Sequence, residues 1–259
     1  MDKISKSQVK LIKSLQQKKY RDEYGLFVAE GEKCVEELRK GFELVHLYRE
    51  GENATRSEIE QMSGLRTPQG VIAVFQKPLI SLPLWGGPGW GFEGTGWDFL
   101  SLALNGIQDP GNLGTIIRTC DWFGVHDIFC SLDTADCYNP KVVQATMGAL
   151  ARVRLHYVNL PQWLKELRMT NEELRIYGTL LDGQDMYEVL QSPCPSRGKD
   201  GKGASLIIMG NEGNGISYEV RPFITHPIRI PSYPKNAETS ESLNVSIATA
   251  IVLAEFRRP

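Results

Sequence analysis

Residues 99–118 read FLSLALNGIQDPGNLGTIIR, and this segment is the clearest indication of the fold class. The apolar run Phe99–Leu104 is typical of a buried strand, and Asp-Pro-Gly at 109–111 is a strong turn sequence. A helix is predicted over Leu113–Phe123, with Asn112 as its N-cap. A strand, a turn and a helix in this order indicate one unit of an α/β fold.

The predicted helix after this turn is amphipathic. Its apolar face is expected to consist of Leu113, Ile116, Ile117, Cys120 and Phe123. Gly114 and Arg118 should project from the other side, so Arg118 does not belong to the core stripe. From the residues alone, Arg118 is either an ordinary solvent-exposed arginine or a group that binds a ligand.

The same alternation continues towards the C-terminus. Short apolar runs predict further strands at Asp127–Cys130, Val153–Val158, Ile176–Leu180, Leu206–Met209 and Ile228–Ile230. Helices are predicted between and after them, at Pro140–Leu150, Pro161–Leu167, Asp185–Leu190, Tyr218–Phe223 and Ser242–Arg257. Continuous apolar strands that alternate with helices predict a mostly parallel sheet with helices on both faces. A ligand of such a sheet lies beyond the carboxyl ends of the strands.

The residues before residue 98 show a different pattern. Helices are predicted at 6–17 and 31–40, and strands at Leu44–Tyr48 and Gly70–Phe75. The region that follows is rich in glycine and tryptophan and is typical of a flexible connector. We therefore predict three parts: a small α/β domain at 1–78, a linker at 79–97 and a larger α/β domain at 98–259.

Composition limits the classes of function. The 259 residues contain four scattered histidines and five cysteines without a CxxC pair, which argues against a metal site and a disulfide framework and favours reduced thiols in the cytoplasm. We expect no membrane span, because no apolar run is long enough. The net charge of −2 does not suggest nucleic acid, although residues 1–21 hold seven basic residues against one acid. That basic segment is either a solvated helix face or a surface for phosphates.

A glycine-rich loop follows the strand predicted at 206–209. Residues 206–216 read LIIMGNEGNGI, and glycines at this position let the main chain approach a ligand closely. A dinucleotide-binding loop, and with it an oxidoreductase, is the alternative. That alternative is weakened because the order is G-x-x-G-x-G, the loop comes late, and no acidic residue ends a following strand.

The last segment combines Ile-Pro at 230–231 with a C-terminal helix. We expect Ser242 or a neighbour to cap this helix, and Leu243, Ile247, Ala250, Ile251 and Ala254 to form its buried stripe. Ser242, Asn244 and Ser246 cluster in its first turn, where free main-chain N–H groups favour an anionic or electron-rich ligand.

Together these three segments resemble the three signature motifs of the SpoU (TrmH-like) family of the SPOUT methyltransferases. The matching residues are NLGTIIR at 112–118, MGNEGNGI at 209–216, and IP followed by SLNVSIA at 242–248. The resemblance covers about residues 99–257. The segments FVAEG at 27–31 and TPQGV at 67–71 look like the substrate-binding domain of ribosomal-RNA members. The connector and a polar insert at 192–204 are not part of the family pattern.

The resemblance implies a fold, a reaction and a partner. The fold is an α/β sheet with a C-terminal deep trefoil knot, and the protein is a homodimer. The reaction is methyl transfer from S-adenosylmethionine to a ribose 2′-hydroxyl of RNA, with ribosomal RNA favoured over transfer RNA. The alternative is an RNA-binding protein that keeps the knot without catalysis. An Arg118 guanidinium is a poor base, so we expect Arg118 to orient the nucleotide and polarise its hydroxyl.

The resemblance also assigns site residues. The catalytic candidates are Arg118, Asn112, Glu212, Ser242 and Asn244. The candidates for cofactor binding are Thr179, Leu180, Leu181, Met209, Gly210, Asn211, Gly213, Ile230, Ser242, Leu243 and Ser246. The candidates for RNA binding are Lys10, Lys18, Lys19, Arg21 and Arg118. No metal is expected.

Overall fold

The computed structural model describes residues 4–78, 100–172, 174–190, 205–234, 240 and 242–258. The predicted connector at 79–97 and the polar insert at 192–204 lie outside the described residues. The described residues form two compact units. The first consists of 4–78, 113–118 and 135–152, and the second consists of the remainder. Residues 113–118 and 135–152 thus group with the N-terminal part, whereas the boundaries predicted from sequence stay a prediction.

The first unit contains a three-stranded antiparallel sheet. Its strands are β1 (Leu26–Glu30), β2 (Leu44–Arg49) and β3 (Val71–Gln76), in the order β1-β3-β2. The N-terminal helices are α1 (Lys6–Ser14), α2 (Lys18–Tyr24), α3 (Glu32–Leu38) and α4 (Arg56–Met62). Helix α6 (Pro140–Thr146) and a short 3₁₀ turn, Ala149–Ala151, complete the unit, together with part of α5 (Pro110–Trp122).

The N-terminal elements differ from the prediction in three places. The single helix expected at 6–17 is wrong, because α1 ends at Ser14 and α2 begins at Lys18. Strand β1 and helix α4 were not predicted. Helix α4 nevertheless carries a local signal, since Thr55 and Glu58 form a reciprocal capping box at its start.

The second unit contains a six-stranded sheet in which every described pair is parallel. Its strands are β4 (Leu100–Asn105), β5 (Asp127–Ser131), β6 (Arg154–Val158), β7 (Arg175–Asp185), β8 (Ser205–Gly210) and β9 (His226–Arg229). The order across the sheet is β6-β5-β4-β8-β7-β9. The prediction of a mostly parallel α/β sheet is therefore confirmed.

Helices cover both faces of this sheet. They are α7 (Leu160–Thr170), α8 (Met186–Val189) and α9 (Val245–Phe256), with the two ends of α5. On one face Trp163 of α7 belongs to a buried cluster that includes Ile176. The next residue of β7, Tyr177, contacts Phe256 of α9 edge-on at a centroid distance of 4.8 Å. Successive strand residues point to opposite faces, so α7 and α9 lie on opposite sides of the sheet.

Helix α5 begins earlier than predicted. Asp109, not Asn112, is its N-cap, and the Asp109 side chain accepts a hydrogen bond from the main-chain N–H of Asn112 at 2.8 Å. The reason is Pro110, whose fixed φ suits the first position of a helix. The expected position of Gly114 is also wrong. Gly114 is buried, and a Cβ there would lie 2.4 Å from the Cβ of Ala145.

The buried face predicted for the C-terminal helix is wrong. Leu243 and Ile247 are 46% and 54% exposed. The buried residues of α9 are Val245, Ser246, Thr249, Val252, Leu253 and Phe256. This helix is apolar nearly all round, so the spacing of its apolar residues could not identify the face that packs.

A charged cluster lies where β5 and β6 begin, at the edge opposite to their carboxyl ends. Arg154 donates to both carboxylate oxygens of Asp127, from Nε at 2.8 Å and Nη2 at 2.6 Å. The Nε2 atom of His156 lies 2.9 Å from Asp127 Oδ1. Burial alone would raise the pKa of Asp127, but the hydrogen bonds to His156 and Arg154 outweigh it and hold that pKa at about 2.

Candidate active site

The loops after β4 and β8 are joined at the carboxyl edge of the sheet. The Asn211 side chain donates from Nδ2 to the carbonyl oxygen of Gly106 at 2.7 Å. The main-chain N–H of Ser217 donates to Asn105 Oδ1, also at 2.7 Å. Two neighbouring parallel strands therefore end in one hydrogen-bonded assembly, at the place where α/β sheets bind ligands.

The glycine-rich loop after β8 is tightly folded. Asn211 and Gly215 exchange main-chain hydrogen bonds of 3.0 and 2.8 Å. The Asn211 Oδ1 atom accepts from the N–H groups of Gly213 and Asn214. A Cβ on Gly210 would lie 2.3 Å from the carbonyl carbon of Gly215, so only glycine fits at position 210 without a shift. This loop fixes the position of Glu212.

Glu212 is the centre of a network that joins the three motif segments. Its Oε1 atom accepts from Asn112 Nδ2 at 3.0 Å, from Asn244 Nδ2 at 2.6 Å and from the N–H of Val245 at 3.1 Å. Asn244 Nδ2 also donates to Asn112 Oδ1 at 2.9 Å. The structure thus brings together three of the predicted catalytic residues.

Asn244 is the N-cap of α9, so the cap expected at Ser242 or a neighbour lies at the neighbour. The Asn244 Oδ1 atom accepts from the N–H groups of Ser246 and Ile247 at 3.1 and 3.4 Å, and from the Ser246 hydroxyl at 2.6 Å. Asparagine at an N-cap satisfies N–H groups that the first turn leaves without partners. Ser242 precedes the helix and is exposed.

The predicted cofactor residues of β7 lie in an irregular part of that strand. Thr179 and Gln184 both pair with Ile228 of β9, so the four residues between them leave the β9 ladder. Within this bulge Leu181 is 72% exposed. A Cβ on Gly183 would lie 2.5 Å from the carbonyl carbon of Ile228, which means that the two main chains are in close contact.

The other predicted cofactor residues differ in exposure. Met209 is 2% exposed and Ser246 is 7% exposed, so their side chains are enclosed by protein. Gly210, Asn211 and Ile230 are partly exposed, and those most open to solvent are Gly213, Ser242 and Leu243. Met209 and Gly210 end β8, Ile230 directly follows β9, and Thr179 of β7 directly follows the last pair with β8, Gly178 with Ile208. Because these strands are parallel, the three positions lie towards the same edge of the sheet.

Arg118 is an exposed residue of α5, as predicted. It lies six residues beyond Asn112, about 9 Å further along the helix axis at 1.5 Å per residue. It forms no hydrogen bond or ion pair with any residue that the structure describes. Its charged guanidinium group is therefore available for an anionic ligand.

The basic residues near the N-terminus have two different roles. Lys10, Lys18 and Lys19 are exposed, and Lys18 forms an ion pair of 2.6 Å with Asp22. The prediction that Arg21 binds RNA is wrong, because its side chain is 2% exposed. Arg21 donates to Asp136 Oδ2 from Nε at 3.1 Å and Nη2 at 2.7 Å, and from Nη1 to the carbonyl oxygens of residues 15 and 16.

The described residues contain neither a candidate metal centre nor a candidate membrane span. The cysteines in the described ranges are buried thiols outside any disulfide: Cys34, Cys120, Cys130 and Cys137. Burial raises the pKa of the Cys34 thiol to about 11, which makes it a poor nucleophile. Among the described residues, no group of three or more His, Cys, Asp or Glu could hold a metal ion. No helix in the same ranges is long and apolar enough to cross a bilayer.

Sequence reasoning missed two residues that build the site. Asp109 caps α5, and Asn105 holds the N–H of Ser217. The sequence Asp-Pro at 109–110 carries the signal for the first, because an acidic cap followed by proline is a common helix start. Asn105 has no local signal, since its partner lies 112 residues away along the chain.

Comparisons with known proteins agree with this geometry. The SpoU rRNA Methylase family model matches residues 100–254, and a model named MRM3-like substrate binding domain matches residues 6–55. The chain is 28% identical to the 23S rRNA (guanosine(2553)-2′-O)-methyltransferase RlmP of Bacillus subtilis, over 99% of this chain and 98% of that protein.

Two solved structures extend the comparison. A Porphyromonas gingivalis protein assigned to the TrmH family of RNA methyltransferases superposes with a TM-score of 0.79 at 35% identity, covering 98% of both chains. An AdoMet-bound rRNA methyltransferase from Sinorhizobium meliloti superposes with a TM-score of 0.76 at 26% identity, covering 100% of this chain and 97% of the other. The family model alone covers more than half of the sequence, and the chain belongs to the SpoU rRNA methylase family.

Proposed function

We propose that this protein transfers a methyl group from S-adenosylmethionine to a ribose 2′-hydroxyl of RNA, and that its substrate is ribosomal RNA. The observation that carries the proposal is the network around Glu212, which joins all three family motifs at the carboxyl edge of the sheet. The name of the Bacillus relative and the AdoMet-bound Sinorhizobium structure support the substrate class and the cofactor.

The residues at this edge fit S-adenosylmethionine. The cofactor supplies a methyl group that its sulfonium charge has already activated, so the protein has to align the two reactants. The bulge at 180–183 would offer main-chain groups to the adenine, since these residues leave the β9 ladder. The exposed side chain of Leu181 would cover an apolar face of the ligand. Gly210 and Gly213 would line the pocket with main chain, whereas Met209 would contribute no side-chain contact.

Arg118 would act on the RNA. A guanidinium group keeps its proton and its charge near neutral pH, so it does not act as a base. It can bind a phosphate through two parallel hydrogen bonds and stabilise the charge that develops on the 2′-oxygen. A phosphate oxygen or water would then take the proton of the hydroxyl.

The two asparagines of the network have different capacities. Both N–H groups of the Asn244 amide have partners, and its oxygen holds the first turn of α9. Asn112 donates one hydrogen bond and accepts one, which leaves an N–H and a lone pair of its amide for substrate. We assign Asn112 to contact with the ribose, and Asn244 and Glu212 to positioning. Ser242 would contact the cofactor or ribose from the segment that precedes α9.

A second copy of the chain would cover the side of the protein on which α5 and α9 lie. Helices α5 and α9 run side by side in the same direction, because Asn244 bonds Asn112 at one end and Arg257 bonds the carbonyl oxygen of Phe123 at the other. Trp122, at the end of α5, is 84% exposed, and Leu243 and Ile247 are exposed at the start of α9. Apolar side chains of this size in water favour a protein partner, which supports the homodimer.

Three further features of the proposal follow from the family. The C-terminal part of the chain would form the deep trefoil knot, which an experimental trace of the backbone would test. The exposed Lys10, Lys18 and Lys19 would bind RNA phosphates, in agreement with the substrate-binding model that matches residues 6–55. Free cysteines agree with a cytoplasmic location.

A methyl-transfer assay tests the function. The protein is incubated with methyl-labelled S-adenosylmethionine and with separate pools of unmodified ribosomal and transfer RNA, and Arg118→Ala is tested alongside. We expect label in ribosomal RNA, reduced by about 10²–10³-fold in Arg118→Ala. Label in transfer RNA alone would contradict the substrate class. RNA binding without any methyl transfer would favour a non-catalytic RNA-binding protein.

A further inference from the structure

An exposed tyrosine and an arginine form a stacked pair just after the glycine-rich loop. The Tyr218 side chain is 84% exposed. The Cζ atom of Arg221 lies 5.4 Å from the centre of its ring, which is a cation–π contact. Arg221 Nε donates to the carbonyl oxygen of Ile216 at 3.0 Å. The guanidinium group is therefore held against the ring.

The turn that carries this pair is firmly anchored. Ile216 and Val220, on either side of Tyr218, are 1% and 0% exposed and belong to the core cluster of the sheet. The N–H of Ser217 donates to Asn105 Oδ1, and the carbonyl oxygen of Ser217 accepts from the N–H groups of Val220 and Arg221. The main chain that carries Tyr218 is thus held in place, although the Tyr218 ring itself is almost fully exposed.

The pair is linked to the candidate site along the chain and through the end of β4. Tyr218 is six residues beyond Glu212, and the neighbouring Ser217 is bonded to the last residue of β4. Asn211, next to Glu212, is bonded to Gly106, the residue after the same strand. Both ends of the connection 211–217 are therefore attached to the carboxyl end of β4.

The geometry points to a nucleotide-binding subsite at Tyr218 and Arg221. An unpaired base of the RNA substrate stacks on the exposed ring, and a phosphate of the same strand binds the terminal N–H groups of Arg221. Stacking on aromatic rings and guanidinium planes is how proteins bind splayed-out RNA bases. The Nη groups of Arg221 have no partner among the residues that the structure describes. The subsite rests on the proposed function, because it presents one nucleotide of that substrate beside the site.

Steady-state kinetics and filter binding with unmodified ribosomal RNA test the subsite. The variants are Tyr218→Ala, Tyr218→Phe and Arg221→Gln, with Met169→Ala as the control because Met169 is 75% exposed on α7. We expect Tyr218→Ala to raise the KM and Kd for RNA by roughly 5- to 100-fold, the effect of losing one stacked base. Tyr218→Phe, which keeps the ring, should stay within about twofold of the wild type. The Kd for S-adenosylmethionine should not change.

Salt dependence separates the two contacts. Arg221→Gln should reduce the slope of log Kd for RNA against log salt by about 0.7, the value for one phosphate contact with a single strand.

Unchanged RNA affinity in Tyr218→Ala would overturn the subsite, as would a loss in Tyr218→Phe as large as in Tyr218→Ala. If the wild type binds RNA but transfers no methyl group, the proposed function fails, and the Kd values still decide on the stack. Loss of S-adenosylmethionine binding in Tyr218→Ala would also contradict the proposal, since it would place the ring in the cofactor pocket.

Discussion

Removal of the Glu212 carboxylate should disconnect the three segments that form the site. The structure gives one carboxylate oxygen three donors, at 2.6, 3.0 and 3.1 Å, and two of them belong to the asparagines of the other motifs. A hydrogen bond to a charged group contributes about 1.5–3 kcal/mol net when it is buried. The Glu212 carboxylate is exposed to solvent, so we assign about 1 kcal/mol to each of its three hydrogen bonds. Glu212→Ala should therefore reduce the stabilisation of the transition state by about 3 kcal/mol, which lowers kcat/KM on the order of 100-fold.

The assay is single-turnover and steady-state methyl transfer to ribosomal RNA. Glu212→Gln keeps an oxygen of the same shape and should lose about 10-fold, because uncharged hydrogen bonds are about half as strong. The loss should fall mainly on kcat, since Glu212 positions other groups. Glu172→Ala, which removes an exposed glutamate two residues beyond α7, serves as the control. If Glu212→Ala kept kcat/KM within threefold of the wild type and unfolded as the wild type does, the carboxylate would not hold the site together.

Three other changes test the fold and the interface. Arg21→Met should lower the free energy of unfolding by about 3–5 kcal/mol, because it leaves the Asp136 carboxylate without its buried partner. The control Lys10→Ala should change the free energy of unfolding by less than about 0.5 kcal/mol. Equal effects of the two substitutions in urea unfolding would contradict this. Asp127→Asn should lower the free energy of unfolding by about 1–2 kcal/mol at pH 7. The pKa of Asp127 is about 2 in the folded protein and about 3.9 in the unfolded chain, so this difference from the wild type should disappear as the pH falls from about 4 to 2. A difference that stays constant with pH would count against the ion-pair cluster. Ile247→Glu should convert the protein from dimer to monomer in analytical ultracentrifugation, and an unchanged sedimentation coefficient would place the interface elsewhere.

The regular part of the large sheet could be predicted from sequence because its signals are local. The strands β4, β5 and β8 contain short buried apolar runs, and neighbouring residues encode the start of α5, although its N-cap is Asp109 and not Asn112. The error at Asn112 shows that proline at the first helical position outweighs a good capping residue further on.

The remaining features depend on contacts between distant residues. Arg21 was expected at the surface with its basic neighbours, but its partner Asp136 lies 115 residues away along the chain. The face of α9 could not be read because the helix is apolar nearly all round. The network of Glu212 joins segments that are 100 and 32 residues apart, so only the family resemblance could bring these residues together beforehand.

The position of the transferred methyl group within the nucleoside decides whether the protein methylates ribose or base. Ribosomal RNA labelled by the protein is digested to nucleosides, and mass spectrometry separates fragments that carry the label on the ribose from those that carry it on the base. We expect all the label in 2′-O-methylated nucleosides and none in the Arg118→Ala reaction above about 1% of the wild-type level. A methyl group on a base would contradict the proposed chemistry, whatever the rate at which it is transferred.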